Sequence, residues 1–395
     1  MLKNKLKITL IPILSLTFAA SMVLFHPYYA KKTTAQAENE YRAMYLIDYD
    51  TGTVIKAENE NDRYPIASMV KIMTLLLALE EIDAGKMDRN EKIRISDYAA
   101  GMGGSQLFLD AGKEYPVNDL LKGVVVCSAN DAAVALGERI AGDNDSFVHF
   151  MNERAKTLHM DNTVFCNATG LPDSGEQYST ARDVTVMMRE LLSHPLYYEY
   201  TKITLEDYVH PDGRTTQMVN TNKLIRSYDG CDAGKTGFTN EAMFCLSSSA
   251  KRNGMRVIAT VLGAPDSKTR FRKVAEAFSY AFANYEVKTF LKKNEPIPSE
   301  IDVIQGKNRI TSVVCDKNIT VFGKKGETYN HTLSVQLFDD LRAPISKSTS
   351  VGKVVLTSQT GEEICSGNLY PTEDVNKRNF VDNFKNIAEK WKIVK

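Results

Sequence analysis

One serine and one lysine are spaced so that they could act as a nucleophile and its base. Ser68 and Lys71 are three residues apart, and this spacing places two side chains on one face of a helix, one turn apart. A serine at a helix N-terminus lies in a positive potential that stabilises a developing oxyanion. A neighbouring lysine can accept the hydroxyl proton if burial or a second cation keeps it neutral. The pair therefore predicts covalent catalysis through a serine.

The Ser-x-x-Lys spacing alone is a weak indication, because it recurs at Ser248/Lys251 and at Ser350/Lys353. Neither of these two pairs stands at the start of a predicted buried helix. We expect them to be strand and loop residues that face water. The assignment of the first pair to a nucleophilic site therefore depends on further motifs.

Two such motifs follow in order along the chain. Ser128 and Asn130 form a Ser-x-Asn motif, and Lys235-Thr236-Gly237 stands directly before a predicted hairpin. The Lys-Thr-Gly triplet occurs once in the sequence. The ordered series Ser-x-x-Lys, Ser-x-Asn and Lys-Thr-Gly is shared by class A β-lactamases and penicillin-binding proteins.

The spacing of apolar residues indicates the elements that would position these motifs. Apolar residues recur at helical spacing from about Ser68 to Asp83, and Gly85 follows, so a helix is predicted there. Asn253-Gly254 between two apolar runs predicts a tight hairpin. Further elements are predicted by the same reasoning: a hairpin at 41–54 and helices at 118–141, 180–192 and 268–285.

The pattern of apolar residues changes after residue 295. Short alternating apolar runs separated by turn residues predict a small all-β domain over 296–375. From residue 376 the period is helical again, and apolar residues at steps of four and three form one stripe: Phe380, Phe384, Ile387, Trp391 and Val394. A terminal, basic helix with a tryptophan on its apolar stripe is typical of a helix lying in a membrane interface. The alternative is a helix that packs its apolar face on the β-domain.

The first 37 residues have the composition of an export signal. Three lysines within residues 3–7 precede an apolar run over 8–25, and Ala35-Gln36-Ala37 offers a small-x-small cleavage site. An uncleaved anchor is the alternative, because the apolar run nearly spans a bilayer. A proline and four hydroxyl residues within the run disfavour that alternative. In either case we expect the rest of the chain to be exported.

Charge and cysteine content exclude other classes of function. The chain has 49 basic and 49 acidic residues, so no global basic field indicates a nucleic acid partner. The six cysteines show no regular spacing that would indicate disulfide pairs, and we expect buried free thiols rather than a disulfide framework. No Cys-x-x-Cys motif and no clustered histidines are present, so neither a metal site nor a cofactor is predicted.

The sequence segments around the motifs resemble those of the D-alanyl-D-alanine carboxypeptidases, the low-molecular-mass penicillin-binding proteins. They are PIASMVKIMTLLLALEEIDAG, VVVCSANDAAVAL, GLPDSGEQYSTARDV and NTNKLIRSYDGCDAGKTGFTNEA. The resemblance implies an α+β fold, with an antiparallel sheet flanked by helices and a helical lobe, followed by a small all-β domain and an amphipathic membrane anchor. The domains expected are a signal peptide (1–37), a catalytic domain (38–290), a β-rich domain (296–375) and the terminal helix (376–395).

The resemblance also implies a role for each motif residue. Ser68 would attack the terminal D-Ala-D-Ala bond of a peptidoglycan stem peptide and form an acyl-enzyme, with Lys71 as its base. Ser128 would relay a proton to the leaving amine, and Asn130 would hold Lys71 and the substrate amide. The oxyanion would be bound by the backbone N–H groups of Ser68 and Phe238.

The terminal carboxylate of such a substrate needs cations and hydrogen-bond donors. Lys235 would add positive charge near Lys71, and Thr236 would bond the carboxylate. Arg270 would pair with it, because a guanidinium matches a carboxylate fork; Arg272 is the near alternative, with a solvated helix face as its other interpretation. The substrate-binding set is therefore Asn130, Lys235, Thr236, Gly237, Phe238 and Arg270.

Two other functions remain as alternatives to a carboxypeptidase at the outer face of the cytoplasmic membrane. Class A β-lactamases use a glutamate downstream of Ser-x-Asn to activate water, and no glutamate occurs over residues 154–175. This absence disfavours a β-lactamase and is typical of an enzyme that β-lactam antibiotics inhibit covalently. A non-catalytic penicillin-binding scaffold is disfavoured because all the proposed reacting groups are present.

Overall fold

The computed structural model describes residues 40–172 and 175–382. The predicted export signal over 1–37 lies outside these residues. Within them, no helix is both long enough and apolar enough to cross a membrane.

The first part of the chain is built on a five-stranded antiparallel sheet. Its strands are β1 (Ala43–Asp48), β2 (Val54–Glu58), β7 (Cys231–Thr239), β8 (Met243–Arg252) and β9 (Met255–Ala264), in the order β2-β1-β9-β8-β7. Two small hairpins are β3 (Lys92–Arg94) with β4 (Glu114–Pro116), and β5 (Leu205–Val209) with β6 (Thr215–Val219). Both predicted hairpins, β1-β2 and β8-β9, are confirmed, and the Lys-Thr-Gly motif lies on the edge strand β7.

The helices differ from the sequence prediction at the Ser-x-Asn motif, where two helices replace one. They are a 3₁₀ turn (Ala67–Val70) leading into α1 (Lys71–Asp83), then α2 (Asp97–Ala100), α3 (Val117–Val126), α4 (Asn130–Ala141), α5 (Asn144–Thr157), α6 (Ala181–Leu191), α7 (Pro195–Thr201), α8 (Leu224–Ser227) and α9 (Ser267–Asn284). The single helix predicted over 118–141 is wrong, because Ser128 adopts a left-handed conformation with φ of 63°. This break separates α3 from α4. It removes the Ser128 side chain from a helix face.

Helix α1 lies at the centre of the main core, which is why its residues are apolar on nearly every side. Eight of its residues are buried, including Lys71 itself. Small residues allow the neighbouring helices to pack closely: a Cβ on Gly137 of α4 would lie 2.7 Å from the ring of Phe147 on α5. Helix α9 covers the opposite face of the sheet through Val274, Phe278 and Ala281. The sheet is therefore covered by helices on both faces, with the motif residues near its β7 edge.

The second part is a small all-β unit with its own core, as predicted. Its strands are β10 (Tyr285–Leu291), β11 (Pro296–Ile301), β12 (Ile310–Cys315), β13 (Ile319–Lys324), β14 (Thr332–Leu337), β15 (Gly352–Thr357) and β16 (Glu363–Pro371). One sheet has the order β11-β12-β16-β15-β14, and β10 pairs with β13. Because β10 pairs within this unit, the architecture changes at Tyr285, inside the range 38–290 expected for the catalytic domain.

The C-terminal segment begins with extended chain rather than a helix. The amide of Lys307 donates to the carbonyl of Asn376, and that of Arg378 donates to the carbonyl of Gln305, each at 2.8 Å. The helical residues begin at Phe380, so the start predicted at residue 376 is wrong. The side chain of Asn379 satisfies a free amide at this helix start. The rest of the predicted amphipathic helix, 383–395, lies outside the described residues.

Candidate active site

Ser68 and Lys71 are in hydrogen-bond contact. The ammonium nitrogen Nζ of Lys71 lies 3.0 Å from Oγ of Ser68 and donates a second bond, of 2.7 Å, to the carbonyl of Thr169. The Lys71 side chain is fully buried, whereas Ser68 is partly exposed. The structure therefore places a hydroxyl that solvent can reach beside an amine that solvent cannot.

The backbone around Ser68 requires two glycines from distant parts of the chain. Gly170 has φ of +79°, and a Cβ there would lie 1.9 Å from the carbonyl oxygen of Ala67. A Cβ on Gly237 would lie 2.5 Å from the carbonyl oxygen of Ile66. Ala67 itself has φ of 47°, a conformation that costs free energy for a residue with a side chain and is concentrated at functional sites. Close approach of three chain segments thus fixes the turn that carries Ser68.

The environment of Lys71 favours its neutral form. Burial lowers the pKa of Lys71 well below its ordinary value, and the positive charge of Lys235 lowers this pKa further. The carboxylate of Asp131 acts in the opposite direction. The neutral amine can accept a proton from Ser68, as the sequence motif requires.

Lys235 and Ser128 form a second contact between a lysine and a serine. Nζ of Lys235 donates to Oγ of Ser128 at 2.7 Å and to its neighbour's carbonyl, that of Thr236, at 3.1 Å. Lys235 is buried, and this burial, together with the charge of Arg270, lowers the pKa of Lys235 to about 7. The Ser-x-Asn and Lys-Thr-Gly motifs therefore meet directly.

Asn130 makes a different contact from the one expected. Its Nδ2 donates to the carbonyl of Gly103 at 2.6 Å, and its backbone amide donates to the carbonyl of Ser105 at 2.7 Å. Its Oδ1 is buried without a hydrogen-bond partner. Asn130 was expected to hold Lys71, but Lys71 donates to the carbonyl of Thr169 instead. The unpartnered Oδ1 is an acceptor without a donor in this structure.

Arg270 lies close to the Lys-Thr-Gly strand. Its Nη1 donates to the carbonyls of Gly237 (3.0 Å) and Cys245 (3.3 Å). The guanidinium carbon lies over the rings of Phe244 and Phe271, 5.4 and 4.8 Å from their centroids. Burial lowers the pKa of Arg270 to about 10, and its buried Nε has no hydrogen-bond partner.

Arg272 is held elsewhere. It forms ion pairs with Glu40 and Glu276, at 2.5 and 2.9 Å, on the exposed side of α9. The interpretation of Arg272 as part of a solvated helix face therefore fits its surroundings.

The other two predicted residues, Thr236 and Phe238, lie on strand β7 next to Lys235 and Gly237. Thr236 is buried, with 6% of its surface exposed, and Phe238 is 51% exposed. The ring of Phe238 lies 4.3 Å from that of Phe244, its direct partner on β8. Thr236, the neighbour of Lys235 in the chain, is therefore buried, whereas the ring of Phe238 is half exposed.

Sequence reasoning missed the loop that contacts Lys71. Oδ1 of Asn167 accepts hydrogen bonds from the amides of Thr169 (3.0 Å) and Gly170 (2.7 Å), which turns the Thr169 carbonyl toward Lys71. Gln177 steadies the start of this loop by accepting from the amides of Cys166 and Asn167. Asn167 and Gly170 are residue types that favour turns, so the turn itself was detectable from the sequence. Its contact with Lys71 was not.

Asp131 was also missed. Its buried carboxylate accepts from the backbone amides of Leu107 and Leu109 at 3.0 Å each. These bonds fasten the loop beside Asn130 to the first turn of α4. Asp131 thereby lies near enough to Lys71 to act on the pKa of that amine.

Other expectations from sequence concern residues outside this cluster. Ser248 is fully buried in β8, where its Oγ donates to the carbonyl of Ala233 at 2.6 Å. The expectation that this serine faces water is therefore wrong. The expectation of buried thiols holds for two of the six cysteines, Cys245 and Cys315, whereas the other four are partly exposed. Within residues 40–172 and 175–382, no group of three or more His, Cys, Asp or Glu side chains could hold a metal.

The fold and this cluster together define a class of protein. An antiparallel sheet covered by helices, with a serine–lysine pair at the start of a buried helix and a second buried lysine on the edge strand, is the arrangement of a serine acyl-enzyme former. The sequence profile of the D-alanyl-D-alanine carboxypeptidases matches residues 30–266. That of the C-terminal domain of penicillin-binding protein 5 matches residues 285–377.

Individual relatives agree with these two profiles. The chain is 39% identical over 395 residues to the D-alanyl-D-alanine carboxypeptidase DacF of Bacillus subtilis, with 99% of each chain covered. It superposes on penicillin-binding protein 5 of Haemophilus influenzae with a TM-score of 0.64 and 30% identity, covering 86% of this chain and 98% of that one. The fold is also that of PBP3, a peptidoglycan synthesis regulatory factor of Streptococcus pneumoniae (TM-score 0.71, 23% identity, 85% and 99% covered). The chain therefore belongs to the D-alanyl-D-alanine carboxypeptidase family of low-molecular-mass penicillin-binding proteins, and it is a serine-type peptidase.

Proposed function

We propose that this enzyme removes the terminal D-alanine from peptidoglycan stem pentapeptides through an acyl-enzyme on Ser68, and that it thereby limits cross-linking. The observation that carries the proposal is the 3.0 Å contact between Oγ of Ser68 and Nζ of the buried Lys71. The names of the relatives support the choice of a D-Ala-D-Ala substrate.

Acylation begins when the neutral amine of Lys71 takes the hydroxyl proton of Ser68. The oxygen then attacks the carbonyl carbon of the penultimate D-alanine, and a tetrahedral oxyanion forms. The backbone N–H groups of Ser68 and Phe238 would stabilise this oxyanion. Ser128, which accepts a hydrogen bond from Lys235, passes its proton to the departing amine and takes up the proton that Lys71 removed from Ser68, so that Lys71 is neutral again. Free D-alanine leaves, and the acyl group stays on Ser68.

Hydrolysis of the ester completes the cycle. Water attacks the acyl carbonyl, Lys71 accepts a proton from that water, and Ser68 regains its own proton as the peptide acid leaves. Residues 154–175 contain no glutamate that could act as a dedicated base for this step. β-Lactams acylate the same serine, and we expect their esters to hydrolyse slowly for this reason. That property separates the proposed enzyme from a β-lactamase.

The substrate's free carboxylate would be bound on the Lys-Thr-Gly side of the site. Lys235, Thr236 and Arg270 supply charge and donors there, and the rings of Phe244 and Phe271 contact the guanidinium of Arg270. The unpartnered Oδ1 of Asn130 is suited to accept the amide N–H of the peptide. Gly237 allows the strand to approach Ile66, where a side chain would collide.

The same proposal includes export and attachment at the outer face of the cytoplasmic membrane. The composition of residues 1–37 supports export. The stripe that begins with Phe380 supports contact of the C-terminal helix with a membrane surface, since Phe380 and Val381 are 84% and 57% exposed.

Labelling with a fluorescent penicillin, followed by an assay of D-alanine release from a D-Ala-D-Ala peptide, tests this function. We expect the wild-type protein to be labelled and to release D-alanine, and Ser68→Ala to do neither. Labelling without D-alanine release would favour a non-catalytic scaffold. Rapid loss of the label would favour a β-lactamase.

A further inference from the structure

A basic groove lies between α8 and the first turns of α9, outside the candidate active site. Its volume is about 700 Å³, and it is lined by Lys223, Arg226, Ser227, Ser267, Lys268 and Phe271. Half of these lining residues are cations, and none is an acid. The groove therefore presents a concentrated positive charge.

The described residues supply no ion-pair partner for these cations. Lys223, Arg226 and Lys268 appear in none of the ion pairs formed by the described residues. On the following turn of α9, by contrast, Arg272 and Lys273 share Glu40 and Glu276. One acid, Asp266, directly precedes the groove residue Ser267, and its carboxylate accepts hydrogen bonds from the amide and hydroxyl of Thr269 without forming an ion pair with a groove cation.

The positive charge of the groove contrasts with the net negative charge of residues 38–375. Residues 38–375 contain 38 basic and 47 acidic residues, so most of the surface should repel anions. Cations clustered against the net charge of a protein attract anionic ligands and raise their association rate.

We propose that this groove binds a linear polyanion that bears repeated phosphate groups. Three exposed cations bind a single small anion weakly, because each stays hydrated, but several charges joined in one ligand bind together with a large gain in effective concentration. The arginine fork, two ammonium groups and two serine hydroxyls offer donors to the many acceptor oxygens of phosphate. A recessed groove fits a chain better than it fits a flat membrane surface.

The groove is a neighbour of the candidate active site through one side chain. Phe271 lines the groove and also contacts the guanidinium of Arg270, 4.8 Å from its ring centroid. A polyanion in the groove would therefore lie one aromatic ring away from the proposed carboxylate site. The enzyme could thus be held on an anionic polymer while it acts on a peptide.

The test compares two triple variants of the full-length protein that lose the same charge. The groove variant is K223Q/R226Q/K268Q. The control variant is K292Q/K307Q/K317Q, which removes three exposed lysines from the β-rich domain. Binding of long-chain inorganic polyphosphate is measured by fluorescence anisotropy over a range of salt concentrations, and penicillin labelling of each variant reports the integrity of the fold and of the active site.

We expect polyphosphate to bind the wild-type and control proteins, with an affinity that falls as salt rises. The groove variant should bind at least about tenfold more weakly, and its salt slope should be smaller by about 2, since each phosphate contact contributes roughly 0.7 to 0.9 to such a slope. Penicillin labelling should be equal in all three proteins, which keeps this outcome separate from that of the proposed function. An equal loss in the control variant would overturn the proposal. So would equal binding of polyglutamate, or groove-dependent binding to anionic lipid vesicles in place of polyphosphate.

Discussion

Nζ of Lys235 lies 2.7 Å from Oγ of Ser128, and this contact joins the edge strand β7 to the break between α3 and α4. It brings together residues that are 107 positions apart in the chain. The same ammonium lowers the pKa of Lys71, the neighbour of Ser68. One lysine therefore connects two groups on which the proposed chemistry depends.

The charge of Lys235 should shape the pH dependence of acylation. The rate should rise with pH as Lys71 loses its proton, and fall as Lys235, with a pKa of about 7, loses its own. In Lys235→Gln the neighbouring charge is gone, so the pKa of Lys71 should rise. The ascending limb should then move to higher pH, and the descending limb should disappear. Single-turnover labelling by penicillin over a pH series measures both effects; an unmoved ascending limb would contradict the link between the lysines.

Gly170 should be essential for the turn that carries Ser68. In Gly170→Ala the new Cβ would meet the carbonyl of Ala67 at 1.9 Å, in addition to the strain of φ at +79°. The matched control is Gly85→Ala, where φ is +70° and no atom lies within 4 Å. The control should lose about 1 to 2 kcal/mol of unfolding free energy from backbone strain alone. Urea denaturation should show a clearly larger loss for Gly170→Ala, and equal losses would show that the close approach does not matter.

Arg270 should recognise the free carboxylate of the substrate. Arg270→Lys should raise KM for a peptide with a free terminal carboxylate by about 10- to 100-fold, as expected for loss of a charged hydrogen bond of about 1.5 to 3 kcal/mol. The same change should have little effect on a peptide whose terminus is amidated. Arg272→Lys serves as the control, because Arg272 already pairs with Glu40 and Glu276. A similar rise in KM for both peptides would mean that Arg270 only supports the fold.

The C-terminal segment can be truncated without damage to the β-rich domain. Residues 376–378 pair with the chain at 305–307, so the truncation should remove 380–395 only. The truncated protein should keep its penicillin labelling and move from the membrane fraction to the soluble fraction. If it stays with the membrane, the N-terminal segment is the anchor instead.

Much of the architecture could be predicted from local sequence patterns. The hairpin at Asn253-Gly254 and the helix over 268–285 follow from turn residues and apolar spacing, and both are present. The three motifs were found in order because each is short, and two of them, Ser-x-x-Lys and Lys-Thr-Gly, stand at predicted element boundaries. Their meeting in one cluster followed from the family resemblance.

The parts that could not be predicted depend on contacts between distant segments. The carbonyl that binds Lys71 belongs to Thr169, 98 positions away, and no local pattern relates the two. The break at Ser128 was missed because the apolar spacing continues across it, while the left-handed conformation at this residue is imposed by its surroundings. The helix start at Phe380 was missed because the preceding residues pair with a loop near residue 305.

The central claim is that a neutral Lys71 activates Ser68. The most direct test is the single-turnover rate of penicillin acylation, measured over a pH series for the wild-type protein and for Lys71→Arg. An arginine stays protonated throughout this range and therefore cannot accept the proton of Ser68. We predict that the wild-type rate rises with pH as Lys71 loses its proton, before the fall that follows deprotonation of Lys235, and that the variant shows no acylation at any pH. Acylation of Lys71→Arg at the wild-type rate would contradict the claim.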